Sequence, residues 1–376
     1  MPKMRERVSS VDWVMLLATL PILGAGFITM YSFRGASYFA GRQPIWILVA
    51  VLVCFIASNI DWRFLRRTSV VVLFYALAVL VLLALFGVGA VSHGAQSWIS
   101  LGLFAIQPAD LVKIVLIITL AKYFSRRHIE IANWKHIIVS GVYALIVFVL
   151  VTIQPDFGSA MILFMIWFGM VLVSGIPWKH LLVVFGAGAV ALSMLWVFAF
   201  APYQKDRILT FLDPARDIRG SGYNAFQSVV AVGSGTLTGK GVGYGTQSRL
   251  SYLPEYQTDF IFAAFAEEWG FVGSLFLFIF YGIVIWRVLR SALRGATNFE
   301  TLFALGVAIF ISSHVLVNIG MNIGVLPVTG ITLPFMSYGG SHLITEFLAL
   351  GMVMGMARYG RSVHPSDASN EFLGPT

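Results

Sequence analysis

Ten long apolar runs, separated by shorter polar segments, constrain this chain more than any other feature. Each run has roughly the 17 or more residues that an α-helix needs to cross a bilayer. The runs are continuous rather than alternating, which excludes a transmembrane β-barrel. Only 11% of the 376 residues are charged, too few to cover the surface of a soluble protein. The sequence therefore predicts an all-α, polytopic integral membrane protein with about ten transmembrane helices.

The predicted spans are Asp12–Ser32, Pro44–Ile60, Thr68–Val91, Gln107–Phe124, Ile137–Ile153, Phe157–Ser174, His180–Phe200, Asp259–Trp286, Thr301–Ile323 and Ser341–Ala357. We predict one membrane domain over residues 1–361, with a long polar loop at 201–258 between the seventh and eighth spans. Prolines and glycines at 324–340 predict an irregular or re-entrant loop. The polar residues 362–376 predict a disordered tail.

The placement of Lys and Arg predicts the orientation in the membrane. Most of the 25 basic residues lie in segments that face the cytoplasm if both termini are cytoplasmic. The long loop and the 324–340 loop then lie on the outer face of the membrane. The net charge of +8 is explained as a topology signal, so it does not indicate a nucleic-acid partner. Six further cations lie in the long loop: Lys205, Arg207, Arg216, Arg219, Lys240 and Arg249.

Ionisable side chains inside predicted spans are candidate functional residues because burying them in lipid is costly. Asp110 and Lys113 share one helix face, where an ion pair that only locks helices together is an equally good interpretation. Asp259 opens the eighth span, where helix capping is the simpler role. Glu267 and Glu268 are expected two turns deeper, in structural hydrogen bonds.

A polar stripe on the ninth span and one acid on the tenth complete the set of buried candidates. His314, Asn318 and Asn322 recur every four residues, a pattern typical of interhelical hydrogen bonding or of a cavity lining. Glu346 has no partner that the sequence identifies. Histidines are scattered and no metal signature is found, so we predict no dedicated metal site.

The glycine-rich stretch at 233–241 superficially resembles a nucleotide-binding loop. The spacing before Lys240 is wrong for a P-loop, and Gly241 stands where Ser or Thr would hold magnesium. What remains is a flexible loop, or one whose backbone amides approach an anion with Lys240 and Arg249 beside them.

Four motifs together resemble the SEDS family (shape, elongation, division and sporulation), over nearly the whole chain. They are Gln154–Gly158, Leu253–Glu255 followed by Thr258–Phe262, Ala266–Gly270, and Leu326–Ser341. The stretches Arg207–Pro214 and Gly245–Ser248 resemble the RodA branch more than the FtsW branch. The chain departs from the family pattern at Ser97, Asp110 and His342, where Arg, Glu and a small residue are common.

The resemblance implies a peptidoglycan glycosyltransferase of cell elongation and shape maintenance. Such an enzyme polymerises lipid II at the outer face of the bacterial cytoplasmic membrane, beside a class B penicillin-binding protein. The resemblance also implies that Asp259 is the catalytic residue. Trp98 and Ser337, together with Asp110, Lys113, Arg207, Arg219, Lys240 and Arg249, are predicted to bind substrate.

We hypothesise that the Asp259 carboxylate is the general base for the acceptor 4-hydroxyl in one inverting displacement of pyrophosphate. A divalent cation, Mg²⁺ or Mn²⁺, that bridges Asp259 and pyrophosphate is left open, since hard cations favour oxygen ligands. Two alternatives also stay open: a flippase or transporter of the lipid-linked precursor, and a non-catalytic scaffold for a transpeptidase. Charges clustered toward the outer face favour interfacial chemistry over transport.

Overall fold

A computed structural model describes most of the chain. The described residues are 11–32, 37–88, 90–92, 95–100, 105–125, 134–175, 209–213, 221–250, 252–253 and 255–359, with isolated residues at 180, 183, 186, 188, 197 and 205. The predicted span His180–Phe200 therefore lies almost wholly outside the described residues, and so do Arg207, Arg219 and the tail at 362–376.

Nine of the ten predicted spans correspond to helices, so the helical membrane fold is confirmed. The helices are α1 Trp13–Tyr31, α2 Ser37–Asn59, α3 Thr68–Val88, α4 Pro108–Ser125, α5 Trp134–Ile153, α6 Phe157–Val173, α7 Ser221–Ser234, α8 Thr246–Arg249, α9 Ile261–Ala292, α10 Asn298–Asn322 and α11 Gly340–Tyr359, with a 3₁₀ turn at Trp62–Arg66. The helices α7 and α8 lie within the long polar loop.

Among the described residues, seven helices are long and apolar enough to cross a membrane. They are α1, α2, α3, α5, α9, α10 and α11. Helix α6 is shorter, with 17 residues. Helix α4 carries Asp110, Lys113 and Lys122 within its 18 residues, which lowers its mean hydropathy.

Polar contacts at both ends of α1 define the two ends of the helix bundle. At one end Asp12 accepts hydrogen bonds from the Arg287 guanidinium, with Nε 2.9 Å from Oδ2. At the other end the Ser32 hydroxyl donates to Glu268 Oε1 at 2.8 Å. We call these the basic end and the site end. Arg66 pairs with Glu300 at the basic end, so both ends of the bundle are held by polar contacts.

Helix α9 reverses direction at Gly270, where the sequence predicted one straight span. The Phe262 and Phe278 rings lie 5.9 Å apart, although 16 residues of straight helix would rise about 24 Å. Gly270 has φ 66° and ψ −163°, a conformation open to glycine and costly for other residues. The chain therefore forms a half-helix at 261–269, which folds back beside the spanning helix at 271–292.

The half-helix corrects the predicted depth of the acidic residues. Glu268 lies beside Ser32 at the site end. The Asp259 end of the half-helix points back along the bundle toward Phe278. Glu267 and Glu268 are therefore nearer the site end than Asp259, the opposite of the predicted order.

A small antiparallel sheet, which the sequence analysis did not predict, connects α3 to α4. Its strands are β1 Ala90–Ser92, β2 Ala95–Ser100 and β3 Ala105–Ile106, in the order β1-β2-β3. Trp98 lies on β2 opposite Ala90. Strands of two to six residues leave almost no periodic signal, which is why the pattern analysis missed them.

Candidate functional site

Asp259 lies in the turn at 255–260 that precedes the half-helix. The N-cap position of the half-helix is occupied by Phe260, one residue after Asp259, and the helix-capping role considered for Asp259 stays a prediction. The Asp259 carbonyl accepts hydrogen bonds from the side-chain amides of Asn318 at 2.9 Å and Asn322 at 3.0 Å. Two buried amides thus fix the backbone of Asp259, while its side chain is half-buried.

The polar stripe of α10 accordingly forms part of the site. Asn318 also donates to the Ile331 carbonyl at 2.6 Å. The Asn322 side-chain oxygen lies 3.3 Å from the amide nitrogen of Ala263, in the first turn of the half-helix. The interhelical bonding considered for this stripe is confirmed, and its target is the Asp259 turn.

The non-helical segment at 324–339 packs against the same turn. Ser337 Oγ donates to the Thr258 carbonyl at 2.6 Å, and the Tyr338 amide donates to the Gln257 carbonyl at 2.8 Å. A Cβ placed on Gly330 would lie 3.4 Å from Asp259 Oδ2. The segment therefore forms a wall beside the Asp259 carboxylate. Ser337, a predicted substrate-binding residue, is buried and bonds backbone atoms.

Asp110 and Lys113 form the predicted ion pair, with Lys113 Nζ 2.9 Å from Asp110 Oδ1. Both side chains are only 3% exposed. Lys113 Nζ also lies 3.4 Å from His314 Nε2 on α10. His314 Nδ1 lies 3.3 Å from the Thr332 carbonyl, which can only accept, so Nδ1 carries the proton and Nε2 accepts from Lys113.

Helix α10 places the Lys113 pair and Asp259 in one region of the bundle. His314 contacts Lys113, and Asn318, four residues further on, contacts Asp259. Four helical residues rise about 6 Å, so the two groups lie roughly one helical turn apart along the same face. Asp110, Lys113, Ser337 and Asp259 are therefore brought together.

The cations of the long loop are placed differently. Lys240 Nζ lies 2.7 Å from Glu267 Oε1, and this carboxylate also accepts from Thr246 and Gln247. Arg249 is exposed in the last turn of α8. The predicted substrate-binding roles of both cations stay predictions, as do those of Trp98 and of the undescribed Arg207 and Arg219.

The glycine-rich loop binds the half-helix with its backbone amides. The Lys240 and Gly241 amides donate to the carbonyls of Glu267 and Glu268, each at 3.0 Å. The Gly243 amide donates to Glu268 Oε1 at 2.8 Å. Two of these amides thus bind backbone carbonyls, and the Gly243 amide, just beyond the 233–241 stretch, binds a carboxylate of the protein itself. The structural hydrogen bonds predicted for Glu267 and Glu268 are confirmed.

Tyr256 adds a polar group to the turn that holds Asp259. Burial raises the pKa of its phenol above the ordinary value, so the hydroxyl stays protonated at neutral pH.

In the part of the chain that the structure describes, no group of three or more His, Cys, Asp or Glu side chains could hold a metal ion. A cation that contacts Asp259 would therefore need most of its ligands from substrate and water.

Fold and site together define a multi-pass membrane protein in which buried charges meet the Asp259 turn and its half-helix toward one end of the bundle. The chain belongs to the FtsW, RodA and SpoVE family of cell cycle proteins, whose family model matches residues 8–362.

Curated relatives cover nearly the whole chain. Stage V sporulation protein E of Bacillus subtilis is 35% identical over 372 residues, covering 95% of this chain and 100% of that protein. Peptidoglycan glycosyltransferase MrdB of Escherichia coli K12 is 34% identical over 357 residues, covering 95% and 96%. A probable peptidoglycan glycosyltransferase FtsW of Nitrosococcus halophilus is 33% identical over 357 residues, covering 91% of each chain. These near-equal identities do not separate the branches.

Solved structures share the fold. A chain from a peptidoglycan synthase complex, described for its coordination of polymerization and crosslinking, has a TM-score of 0.80 and 31% identity. It covers 94% of this chain and 99% of its own length. The rod shape determining protein RodA of Thermus thermophilus has a TM-score of 0.69 and 30% identity, covering 93% and 97%.

Sequence reasoning missed several partners in the site because they are distant along the chain. His342 lies 3.3 Å from Asp110, 232 residues away. Gln107 Nε2 donates to Asp156 Oδ2 at 2.6 Å, which connects the start of α4 to the Gln154–Gly158 motif. The sequence signal for this contact is that both stretches, Gln107–Asp110 and Gln154–Asp156, contain Gln-Pro and then an acid.

Proposed function

We propose that this chain is a peptidoglycan glycosyltransferase that polymerises lipid II into glycan strands. Its curated relatives include peptidoglycan glycosyltransferases of both the MrdB and FtsW types. The site lies at the outer face of the bacterial cytoplasmic membrane, with both termini in the cytoplasm. The biological role that we propose is cell elongation and shape maintenance, which is consistent with the MrdB relative and with the RodA structural neighbour.

The fixed backbone of Asp259 is the observation that carries the chemical proposal. Asn318 and Asn322 hold its carbonyl, so two buried side-chain amides anchor the backbone from which the carboxylate projects. The carboxylate acts as general base: it takes the proton of the acceptor 4-hydroxyl as that oxygen attacks the donor anomeric carbon. The bond from the anomeric carbon to the pyrophosphate oxygen breaks, and configuration inverts in a single displacement.

Lys113 supplies positive charge to this region. Its ammonium is buried and about one helical turn from the Asp259 contacts on α10. In a water-poor site a fixed cation stabilises the charge that develops on the leaving pyrophosphate. A divalent cation, if the reaction uses one, would bind the pyrophosphate oxygens and could contact Asp259.

The test uses purified protein with lipid II in lipid vesicles and measures glycan polymer by gel electrophoresis. Asp259→Asn keeps the size of the side chain and removes the base, so we expect polymerisation to fall about 100-fold or more. Asp61→Asn, the same exchange at the basic end, is the matched control and retains activity. Full activity in Asp259→Asn would contradict the general-base assignment.

A precursor flippase is the second candidate, because a half-helix and buried charges are also typical of transporters. Vesicles that carry labelled lipid II separate the two functions. Polymer formation without transfer between leaflets supports the glycosyltransferase. Transfer without polymer would support the flippase. Polymer formed by the isolated chain would also exclude a purely non-catalytic scaffold.

We also propose a crosslinking partner, a class B penicillin-binding protein. A structural neighbour of this chain belongs to a peptidoglycan synthase complex described for polymerization and crosslinking. Co-purification of the full chain with such a transpeptidase tests the pairing.

A further inference from the structure

Two buried side chains of α11 have no part in the chemistry above, although they touch the Asp110–Lys113 pair. His342 Nδ1 lies 3.3 Å from Asp110 Oδ1, and His342 Nε2 lies 2.8 Å from Glu346 Oε1. The contact between His342 Nε2 and Glu346 Oε1 lacks hydrogen-bond geometry, so it is an ion-pair contact. Glu346 is fully buried and His342 is 8% exposed. Burying ionisable groups within a membrane protein is costly, so such groups are candidate functional residues.

Glu346 binds the segment that forms the wall of the site. The Phe335 amide donates to Glu346 Oε2 at 2.9 Å. Phe335 has φ 61°, in the left-handed region that residues with a bulky side chain rarely adopt. A backbone conformation of this kind persists only when its surroundings hold it. The Glu346 carboxylate is one such support, because it accepts the amide that this conformation turns into the helix bundle.

The turn around Phe335 is bonded in turn to Asp259. The Leu333 amide donates to Ser337 Oγ at 2.8 Å, and Ser337 Oγ donates to the Thr258 carbonyl at 2.6 Å. Thr258 directly precedes Asp259. A continuous series of contacts thus leads from Glu346 through the Phe335 turn and Ser337 to the Asp259 backbone.

We propose that Glu346, oriented by His342, is a positioning residue for Asp259, and that it acts through the turn at 333–337. This proposal rests on the proposed function, because it takes Asp259 as the general base. One ring nitrogen of His342 contacts the Asp110 carboxylate and the other contacts the Glu346 carboxylate. The direction of the Glu346 carboxylate therefore depends on how Asp110 holds the His342 ring. Neither residue touches substrate.

The first experiment compares two substitutions of Glu346 by kcat and KM for lipid II, measured per folded molecule. Glu346→Leu has similar volume and no acceptor for the Phe335 amide. A misplacement of about 1 Å can cost roughly 100-fold, so we expect kcat to fall between about tenfold and 100-fold, with KM changed less than about threefold. Glu346→Gln keeps an oxygen acceptor, and we expect its kcat within about threefold of the wild type.

Thr345→Val is the matched control, since Thr345 is a buried neighbour on α11 whose hydroxyl donates within its own helix, to the Ser341 carbonyl. Its kcat should equal that of the wild type. An unchanged kcat in folded Glu346→Leu would overturn the proposal. Equal loss in Glu346→Leu and Glu346→Gln would also overturn it, because charge rather than the acceptor would then matter.

Ser337→Ala keeps the test decisive if Glu346→Leu fails to fold. It removes the hydroxyl between the Phe335 turn and Thr258, and we expect the same loss of kcat with little change in KM. An unchanged kcat in folded Ser337→Ala would therefore contradict the proposal. Where Glu346→Leu does fold, the double variant should reduce kcat by less than the product of the single effects, because both act through one turn. Independent effects would contradict the proposal. Full activity in Asp259→Asn would instead refute the proposed function.

Discussion

At the scale of single residues, Asn318 shows how the protein holds the backbone of Asp259. Its amide nitrogen donates to two carbonyls, those of Asp259 and Ile331, in a position closed to solvent. An unpaired buried carbonyl costs about 1–3 kcal/mol, so this one amide stabilises both the Asp259 turn and the segment at 324–339. The proposed role of the Asp259 carboxylate is that of general base, and these amides support its backbone.

Asn318→Leu tests how much the Asn318 amide stabilises the Asp259 turn. Leucine has nearly the same volume but no donor, so we expect the free energy of unfolding to fall by about 1–3 kcal/mol. Polymerisation should fall as well, because the turn loses one of its two amide contacts. Leu316→Ala, at an exposed position on the same helix, is the control and should shift stability by less than about 0.5 kcal/mol. Thermal unfolding in detergent measures the stability of both variants, and equal stability would contradict the expectation.

The candidate residues themselves were visible in the sequence, because an acid or a cation within an apolar run is conspicuous. Their partners were not. Lys113 contacts His314, which is 201 residues away in the sequence, and Asp110 contacts His342, which is 232 residues away. Contacts of that range depend on helix packing, which has no periodic signature within either helix.

At the scale of elements, α9 carries the largest difference between sequence and structure. Hydropathy describes how apolar a stretch is and not which way it runs, so a reversal within a long apolar run leaves the signal unchanged. A lone glycine in a helical pattern is a weak indication of a break. The positions of the other spans that the structure describes could be predicted because length and hydropathy decide them.

Gly270→Ala tests the reversal. A Cβ at this position would lie 2.3 Å from the Gly239 nitrogen and 2.7 Å from the Leu237 oxygen, in a backbone conformation that alanine avoids. We expect a loss of about 3 kcal/mol or more, seen as poor yield of folded protein.

Gly282→Ala is the matched control on the same helix. No atom lies within 4 Å of the added Cβ, so the exchange should be neutral or stabilise by about 0.5–1 kcal/mol. If the two alanine variants unfold at the same temperature, the half-helix is wrong.

At the scale of the whole molecule, the orientation in the membrane is the largest prediction that rests on sequence alone. Basic residues such as Arg66 and Arg287 gather at one end of the bundle, and Asp259 lies toward the other. The charge rule places the basic end in the cytoplasm. The proposed polymerisation at the outer face of the membrane requires that arrangement.

Single cysteines report the orientation directly. Leu293, at the basic end, is 88% exposed, and Val325, at the site end, is 63% exposed. The only native cysteine, Cys54, is buried. A membrane-impermeant maleimide added to intact cells should label Val325→Cys and leave Leu293→Cys unlabelled until the membrane is opened. The reverse pattern would place the site in the cytoplasm and remove the basis for the proposed function.

The reversal of α9 also bears on which positions can change during evolution. Gly239 and Gly270 meet backbone to backbone, since a Cβ on Gly239 would lie 2.0 Å from the Glu268 oxygen and one on Gly270 would lie 2.3 Å from the Gly239 nitrogen. A pair of side chains such as Lys240 and Glu267 can be exchanged or replaced together, and a second mutation can then repair the first. The glycine junction has no side chain to exchange, so no second mutation restores it. We therefore expect this pair to persist among relatives whose loop sequences have otherwise diverged.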